Sequence, residues 1–115
     1  MKLAGRAKML RIYFGEDDKW KDQPLYRVIV EKCRELDIAG ATVLRGVAGY
    51  GASSLIHRSR VLSFSHDAPL MVSVIDSEEK IQQLLPFLDQ VVDQGLIATS
   101  DVDVIKYVHQ SGARP

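Results

Sequence analysis

The sequence predicts an α+β protein of the ferredoxin-like type, in which two helices cover one face of a four-stranded antiparallel sheet. Four segments alternate apolar and polar residues as strands do, and two carry apolar residues at helical spacing. Their order along the chain is β-α-β-β-α-β, the split βαβ pattern. With 115 residues, 46% apolar and 26% charged, the chain has the size and composition of one globular domain.

The first predicted strand is Met9–Phe14, where apolar and polar or amphipathic side chains alternate. Residues 1–7 before it are expected to form a flexible leader. The single domain is expected to span residues 8–109, with a long loop at 47–68 and a tail at 110–115. The polar stretch GEDDKWKDQ after the strand is predicted to be a loop that contains the only tryptophan.

The first helix is predicted to begin near Pro24, which suits a first helical turn, with Asp22 or Gln23 as its cap. An apolar stripe at helical spacing indicates the face that it buries. Gly40 occupies the position where a left-handed residue ends many helices. The second strand is predicted at Ala41–Gly46.

The second half repeats the strand–helix order. The third strand is predicted at Leu70–Ile75, and Asp76 is predicted to cap the second helix, with Glu79 completing a capping box. Pro86 lies inside the apolar stripe of this helix and removes one backbone hydrogen bond, so we expect a kink or a break there. Gly95 is expected to end the helix.

The last strand is predicted at Val102–Val108, and the helices leave one sheet face uncovered. The residues predicted on that face are Met9, Arg11, Tyr13, Met71, Ser73, Ile75, Ile105 and Tyr107. The face is too apolar for bulk water. It is either a small exposed patch or, as we favour, a surface buried against other subunits.

A glycine-rich turn follows the second strand. Gly46, Gly49 and Gly51 have the spacing G-x-x-G-x-G, which differs from the dinucleotide fingerprint G-x-G-x-x-G. Glycines let the chain pass close to a ligand, and the backbone N–H groups of such a turn can cradle an anion. The same pattern is also typical of a flexible hairpin.

Arginines flank this turn and favour an anion site. Arg45 precedes it, and Arg58 and Arg60 follow it and would share one face of an extended arm. The planar guanidinium group suits phosphate. The alternative is a solvated basic arm.

Charge and cysteine content exclude several classes of protein. Fifteen basic residues balance fifteen acidic ones, so no overall field draws the protein to nucleic acid or to a membrane surface. Cys33 is the only cysteine, so no internal disulfide can form and a reducing compartment is expected. The apolar runs are too short to insert into a bilayer, and the basic start lacks the apolar core of a secretory signal. We therefore expect a cytoplasmic location.

Several stretches resemble one bacterial family. The segments IYFGEDDKW, PLY, GATVLRGVAGYGA, IHRSR, PLMVSVIDSEEKI and GLIATSDVDVIKY are similar to domain-of-unknown-function family 190, a branch of the PII-like superfamily. The resemblance covers residues 9–107. It implies a ferredoxin-like protomer, a compact homotrimer, and small ligands, usually adenine nucleotides, in clefts between subunits.

The resemblance also implies a role for the long loop. In PII-like proteins this loop contacts a target, often a membrane transporter, and family members are often encoded beside fluoride-exporter-type membrane proteins. The GYG triplet at residues 49–51 matches the base of that loop in the nitrogen-regulatory members. The expected ligand is ADP or ATP. The expected binding residues are Arg45, Gly46, Gly49, Tyr50, Gly51, Arg58 and Arg60.

Two departures from the nitrogen-regulatory pattern qualify this expectation. Those proteins carry a glycine- and lysine-rich phosphate loop before the last strand, whereas this chain has DQGLIATSD, without lysine or arginine. Phosphate binding must therefore depend on the arginines above, or be absent. The loop stretch SSLIHRS has no tyrosine, so uridylylation is not implied.

Two other classes of function stay open at this point: a metal- or anion-handling protein of the cation-tolerance type, and a small hydrolase or lyase with a site between subunits. His57, His66 and His109 are scattered without metal-ligand spacing, and the sequence has no G-x-S-x-G elbow and no Walker loop. The acidic residues 16–18 could hold a cation, or form a solvated loop. We expect a regulatory protein without catalytic or metal-ligating residues.

Overall fold

The computed structural model describes residues 5–50 and 68–108. Within these ranges the elements follow the predicted order, with one added hairpin. They are β1 (Gly5–Gly15), β2 (Lys19–Trp20), β3 (Gln23–Pro24), α1 (Leu25–Glu35), β4 (Ala41–Arg45), β5 (Pro69–Asp76), α2 (Glu78–Val91) and β6 (Leu96–Val104). No described helix is long and apolar enough to cross a membrane.

The main sheet has four antiparallel strands in the order β4-β5-β1-β6, which confirms the predicted ferredoxin-like topology. β1 lies in the middle and pairs with β5 on one side and β6 on the other. β2 and β3 form a separate two-stranded sheet. The sheet therefore ends at β4 on one side and at β6 on the other.

The core lies between one face of this sheet and the two helices. Alternate residues of the central strands point into it: Leu10, Ile12, Phe14, Leu70, Val72 and Val74. The helices contribute Leu25, Ile29, Cys33, Ile81, Leu84, Leu88 and Val91. Burial of each large aliphatic side chain contributes roughly 1.5–3 kcal/mol, so this two-layer core accounts for the side on which the helices pack. The opposite sheet face, which carries no helix, is called the outward face below.

β1 begins at Gly5, four residues before the predicted start. Residues 5–7, predicted to belong to a flexible leader, therefore form the first part of this strand, where Ala7 is buried opposite Val102 of β6. Residues 1–4 and the predicted tail at 110–115 lie outside the described residues.

The last strand was predicted at Val102–Val108 and is observed at Leu96–Val104, so the prediction was wrong. β6 is an edge strand that the helices do not cover, and the residues on its helix side, including Thr99, are exposed. Asp101 on that side forms an ion pair of 2.7 Å with Lys8 instead of packing in the core. Without an apolar inner face, the strand lacks the alternation that identified the others.

The helix ends differ from the predicted caps. α1 has Pro24 at its N-terminal cap position, without a side-chain hydrogen bond, so the predicted caps Asp22 and Gln23 were wrong. The backbone N–H of Leu25 donates instead to the carbonyl oxygen of Asp18, at 2.8 Å. At the other end α1 stops before Leu36, and Asp37 takes the left-handed conformation predicted for Gly40, with a φ of 57°.

α2 is capped by Ser77 and not by Asp76 as predicted. The Ser77 hydroxyl accepts a hydrogen bond from the backbone N–H of Lys80 at 3.3 Å. Asp76 is buried as the last residue of β5. The helix runs as one element past Pro86, so the break that we considered is not observed.

The stretch predicted as a polar loop contains the β2–β3 hairpin. Lys21 and Asp22 form its two-residue turn, with φ values of 50° and 66°, as hairpin turns of the right twist require. Trp20 packs against the core, and the Lys21 ammonium lies 5.6 Å from the centre of its ring. Non-glycine residues at both positions concealed this turn from sequence reasoning.

We expect Gly95→Ala to destabilise the fold by about 1–3 kcal/mol in urea unfolding, since added atoms in a packed site force backbone shifts. A Cβ on Gly95 would collide with the carbonyl oxygen of Tyr13 and lie 3.2 Å from Cγ1 of Val92. Gly40→Ala is the matched control, because a Cβ there meets nothing within 4 Å. Equal unfolding free energies for the two variants would contradict the packing at Gly95.

Candidate functional site

One end of the sheet brings together the segments that carry the predicted anion site. β4 ends there at Arg45, β5 begins there at Pro69, and β1 ends there at Gly15. The loop predicted at 47–68 leaves and returns at this end, which is called the loop base below. Gly46, Gly49 and Tyr50 are described; Gly51, Arg58 and Arg60 lie outside the described residues.

The loop base is closed by backbone hydrogen bonds. The N–H of Gly46 donates to the carbonyl oxygen of Pro69 at 2.6 Å, which extends the β4–β5 ladder by one step. The N–H of Glu16 donates to the carbonyl oxygen of Ala68 at 2.7 Å. Both ends of the loop are therefore held by the sheet and by the turn that follows β1.

Arg45 is half-exposed at the loop base and pairs with an acidic neighbour. Its Nε lies 3.0 Å from Oε1 of Glu16. The first carboxylate of the EDD stretch thus contacts the arginine that was predicted to bind an anion. This ion pair joins the β1–β2 turn to the end of β4.

Local geometry explains two of the hinge glycines. A Cβ on Gly46 would lie 2.9 Å from Cγ of Pro69 and 3.3 Å from its carbonyl oxygen, so the close approach of β4 to β5 requires glycine there. Gly49 has a φ of 155°, a conformation that side chains disfavour. Tyr50 is 80% exposed and makes no core contact, so the packing role expected for it is not observed.

A cleft of about 270 Å³ opens at the other end of β4, on the outward face. Its lining residues are Ala39, Gly40, Thr42, Ser73, Ile75, Val104, Lys106 and Tyr107. The lining combines aliphatic surface, two small hydroxyls and one ammonium group, which suits a small polar ligand with an apolar face. The site residues predicted from sequence do not include any of these.

Hydrogen bonds fix the peptide unit at the edge of the cleft. The Tyr107 hydroxyl donates to the carbonyl oxygen of Ala39 at 2.9 Å, and the N–H of Ala39 donates to Oδ2 of Asp76 at 2.8 Å. The other Asp76 oxygen accepts from the N–H of Ser77 at 2.6 Å. Asp76 is only 3% exposed, so its charge is stabilised by these donors. The α1–β4 turn, the start of α2 and the segment after β6 are thereby joined.

The strand register aligns one apolar residue from every strand on the outward face. Leu44 lies opposite Met71, Met71 opposite Tyr13, and Tyr13 opposite Leu96. This apolar row is substantially exposed, with 50% of Leu44, 39% of Tyr13 and 57% of Leu96 accessible. The predicted surface face therefore exists.

Two residues predicted on the outward face lie elsewhere. Ile105 and Tyr107 follow the end of β6 because the last strand was placed too far along the chain. Ile105 is exposed, and Tyr107 turns to bond Ala39. The residues of β6 that share the outward face are Leu96, Ala98, Ser100, Val102 and Val104.

Other candidate groups have structural roles or no cluster. Cys33 is buried in α1, and burial raises the pKa of its thiol to about 11, so it packs as a small protonated core residue. Within residues 5–50 and 68–108, no three histidine, cysteine or acidic side chains group as metal ligands would.

Comparison with known proteins decides the family. The model of the family DUF190, described as "Uncharacterized ACR", matches residues 7–104. The chain belongs to domain-of-unknown-function family 190. A UPF0166 protein of Aquifex aeolicus is 36% identical over 102 residues, which cover 87% of this chain and 94% of that protein. A UPF0166 protein of Methanocaldococcus jannaschii is 34% identical over 102 residues, covering 88% and 94%.

Solved structures place this family 190 chain in the PII-like fold. CPII of Thiomonas intermedia K12, solved bound to ADP and bicarbonate, superposes with a TM-score of 0.65 at 19% identity, covering 86% of this chain and 88% of CPII. A PII-like signalling protein of Thermus thermophilus gives a TM-score of 0.64 at 18% identity, covering 88% and 91%. The predicted PII-like fold is confirmed.

We expect Asp76→Ala to lower the free energy of unfolding by about 1–3 kcal/mol, because the N–H groups of Ala39 and Ser77 lose their acceptor in a buried site. Urea unfolding followed by circular dichroism measures this. Asp89→Ala, at an exposed position of α2, is the control and should change stability by less than about 0.5 kcal/mol. A similar small change for Asp76→Ala would contradict its role as the link.

Proposed function

We propose that this protein is a trimeric PII-like signalling protein that binds an adenine nucleotide in clefts between its subunits. The loop at 47–68 then reports whether the site is occupied. The observation that carries this proposal is the placement of the cleft and the loop base at the two ends of one strand, β4.

The spacing along β4 suits an extended nucleotide. Thr42 and Gly46 are separated by four residue steps, or about 13 Å at the usual rise of a strand, and alternate residues put both on the outward face. A base would lie in the cleft against Ile75 and Val104, with the hydroxyls of Thr42 and Ser73 as hydrogen-bonding groups. The phosphates would run along β4 toward Arg45.

What CPII binds supports the choice of ligand. CPII, described as a nitrogen regulatory PII-like protein, has been solved with ADP and bicarbonate, and with ADP, AMP and bicarbonate. In this chain the segment before β6 has no lysine or arginine, so the positive charge for a phosphate must come from elsewhere. Arg45 is a half-exposed guanidinium at the loop base, and Lys106 lines the cleft.

The apolar row supports assembly into a trimer. Side chains as apolar as Leu44, Tyr13 and Leu96 are more stable when removed from water, and an outward sheet face has room for other subunits. Closed symmetric assemblies bury such a face without leaving it open on any copy. The cleft lies on the same face, so a neighbouring subunit packed on the row would border it and make the site an interface site.

The position of the loop supports its proposed role as the reporter. Its two ends meet at Gly46 and Ala68, next to Arg45, so a ligand there lies against the loop base. A ligand can order the loop only by binding the ordered form better than the free form. The proposed target of the loop is a membrane transporter, following the resemblance to the PII-like superfamily.

Calorimetry with ADP and ATP tests nucleotide binding. Arg45→Ala should weaken binding by about 1.5–3 kcal/mol, the scale of a hydrogen bond to a charged group. Arg34→Ala removes an exposed arginine from the far end of α1 and should leave affinity unchanged. Absence of binding by the unaltered protein would contradict the nucleotide proposal, and an unchanged Arg45→Ala affinity would remove Arg45 from the site.

Light scattering tests the trimer. The unaltered protein should have three times the chain mass of 12.8 kDa, and Tyr13→Glu should dissociate it, because an unpaired charge buried in the apolar row is costly. Gln83→Glu adds the same charge on the exposed side of α2 and should leave the trimer intact. A 12.8 kDa species at micromolar concentration would overturn the proposal.

A further inference from the structure

Glu16 is held at the loop base by its backbone and not by its ion pair. Its N–H donates to the carbonyl oxygen of Ala68 at 2.7 Å, which fixes where the residue lies. Its carboxylate then reaches Arg45, with 3.0 Å between Oε1 and Nε. The Glu16 side chain is 31% exposed and that of Arg45 is 49% exposed, so solvent and small ions reach the pair.

This contact gives Arg45 an acidic partner that belongs to the same chain. Guanidinium N–H groups bind carboxylate and phosphate with the same geometry, so the two anions compete for them. A phosphate that binds beside Glu16 without displacing it meets a like charge at short range. In either arrangement the Glu16 carboxylate opposes a second anion at Arg45.

We propose that Glu16 is an internal competitor of the ligand's phosphate at Arg45 and thereby sets the affinity of the site according to ligand charge. The inference rests on the proposed function, in which Arg45 contacts that phosphate. A di- or triphosphate displaces the carboxylate more effectively than a monophosphate, because it brings more negative charge to the guanidinium. A neutral nucleoside gains nothing from the exchange.

The same ion pair has a second interpretation, with the opposite consequence. Glu16 could hold Arg45 in the orientation that a ligand requires, in which case loss of the carboxylate weakens binding. Glu16→Gln separates the two, because glutamine keeps the length of the side chain and the backbone bond to Ala68 while it removes the charge.

The test is calorimetry of Glu16→Gln with ATP, ADP, AMP and adenosine. We expect the affinities for ATP and ADP to rise roughly two- to fivefold, the range that an exposed ion pair supports, and the affinity for adenosine to stay unchanged. Glu35→Gln is the matched control. It removes the same charge from an exposed glutamate that pairs with Lys32, at the opposite end of the sheet from Arg45. It should leave all four affinities unchanged.

The outcomes separate this inference from the proposed function. If Arg45→Ala weakens ADP binding while Glu16→Gln leaves it unchanged or weakens it, the competitor role is overturned and the nucleotide site stands. If the unaltered protein binds no nucleotide, or Arg45→Ala has no effect, both are overturned. In the Arg45→Ala background, Glu16→Gln should no longer tighten binding through this contact, and a tightening of the original size would also overturn the inference. Glu16→Ala provides a second removal of the charge should Glu16→Gln unfold.

Discussion

The antiparallel register between β1 and β5 is the constraint on which the rest of the structure depends. Leu10 lies opposite Val74 and Ile12 opposite Val72, and all four side chains are fully buried. A slip of one residue would turn both pairs to the outward face and bring polar residues into the core. Because β4 pairs with β5 and β6 pairs with β1, this single register fixes the faces of all four strands. The helices then cover the face that these pairs make apolar.

The same register builds both parts of the candidate site. It sets Thr42 beside Ser73 on the outward face, where they line the cleft, and it brings Gly46 against Pro69 at the next backbone bond beyond β4. The cleft and the loop base therefore cannot shift relative to each other without a change in the sheet. A ligand that contacts both ends of β4 would meet a rigid distance, which favours one length of ligand over others. This rigidity is what a scaffold must provide for a charge at the loop base to be effective.

The sequence predicts those parts of the fold in which residue pattern and burial coincide. β1, β5 and both helices were found because their apolar residues are also the core residues. β6 was misplaced because one of its faces is exposed at the sheet edge, so Thr99 and Asp101 break the expected alternation. Arg45 and the glycines were found because they are contiguous in the chain. The cleft was missed because Thr42, Ser73 and Tyr107 come from three separate segments, although two outward hydroxyls on neighbouring strands were a usable signal.

The loop base separates mechanical closure from charge. The bonds from Gly46 to Pro69 and from Glu16 to Ala68 join backbone groups, so they persist whichever anion Arg45 contacts. An exchange of partner at Arg45 therefore leaves the sheet end closed. In the proposed function, any change that the ligand causes in the loop must begin beyond Gly46, and Gly49, with its positive φ, is the first described position there at which the chain takes a conformation that glycine favours. Signal and scaffold can thus share one strand end without the signal loosening the scaffold.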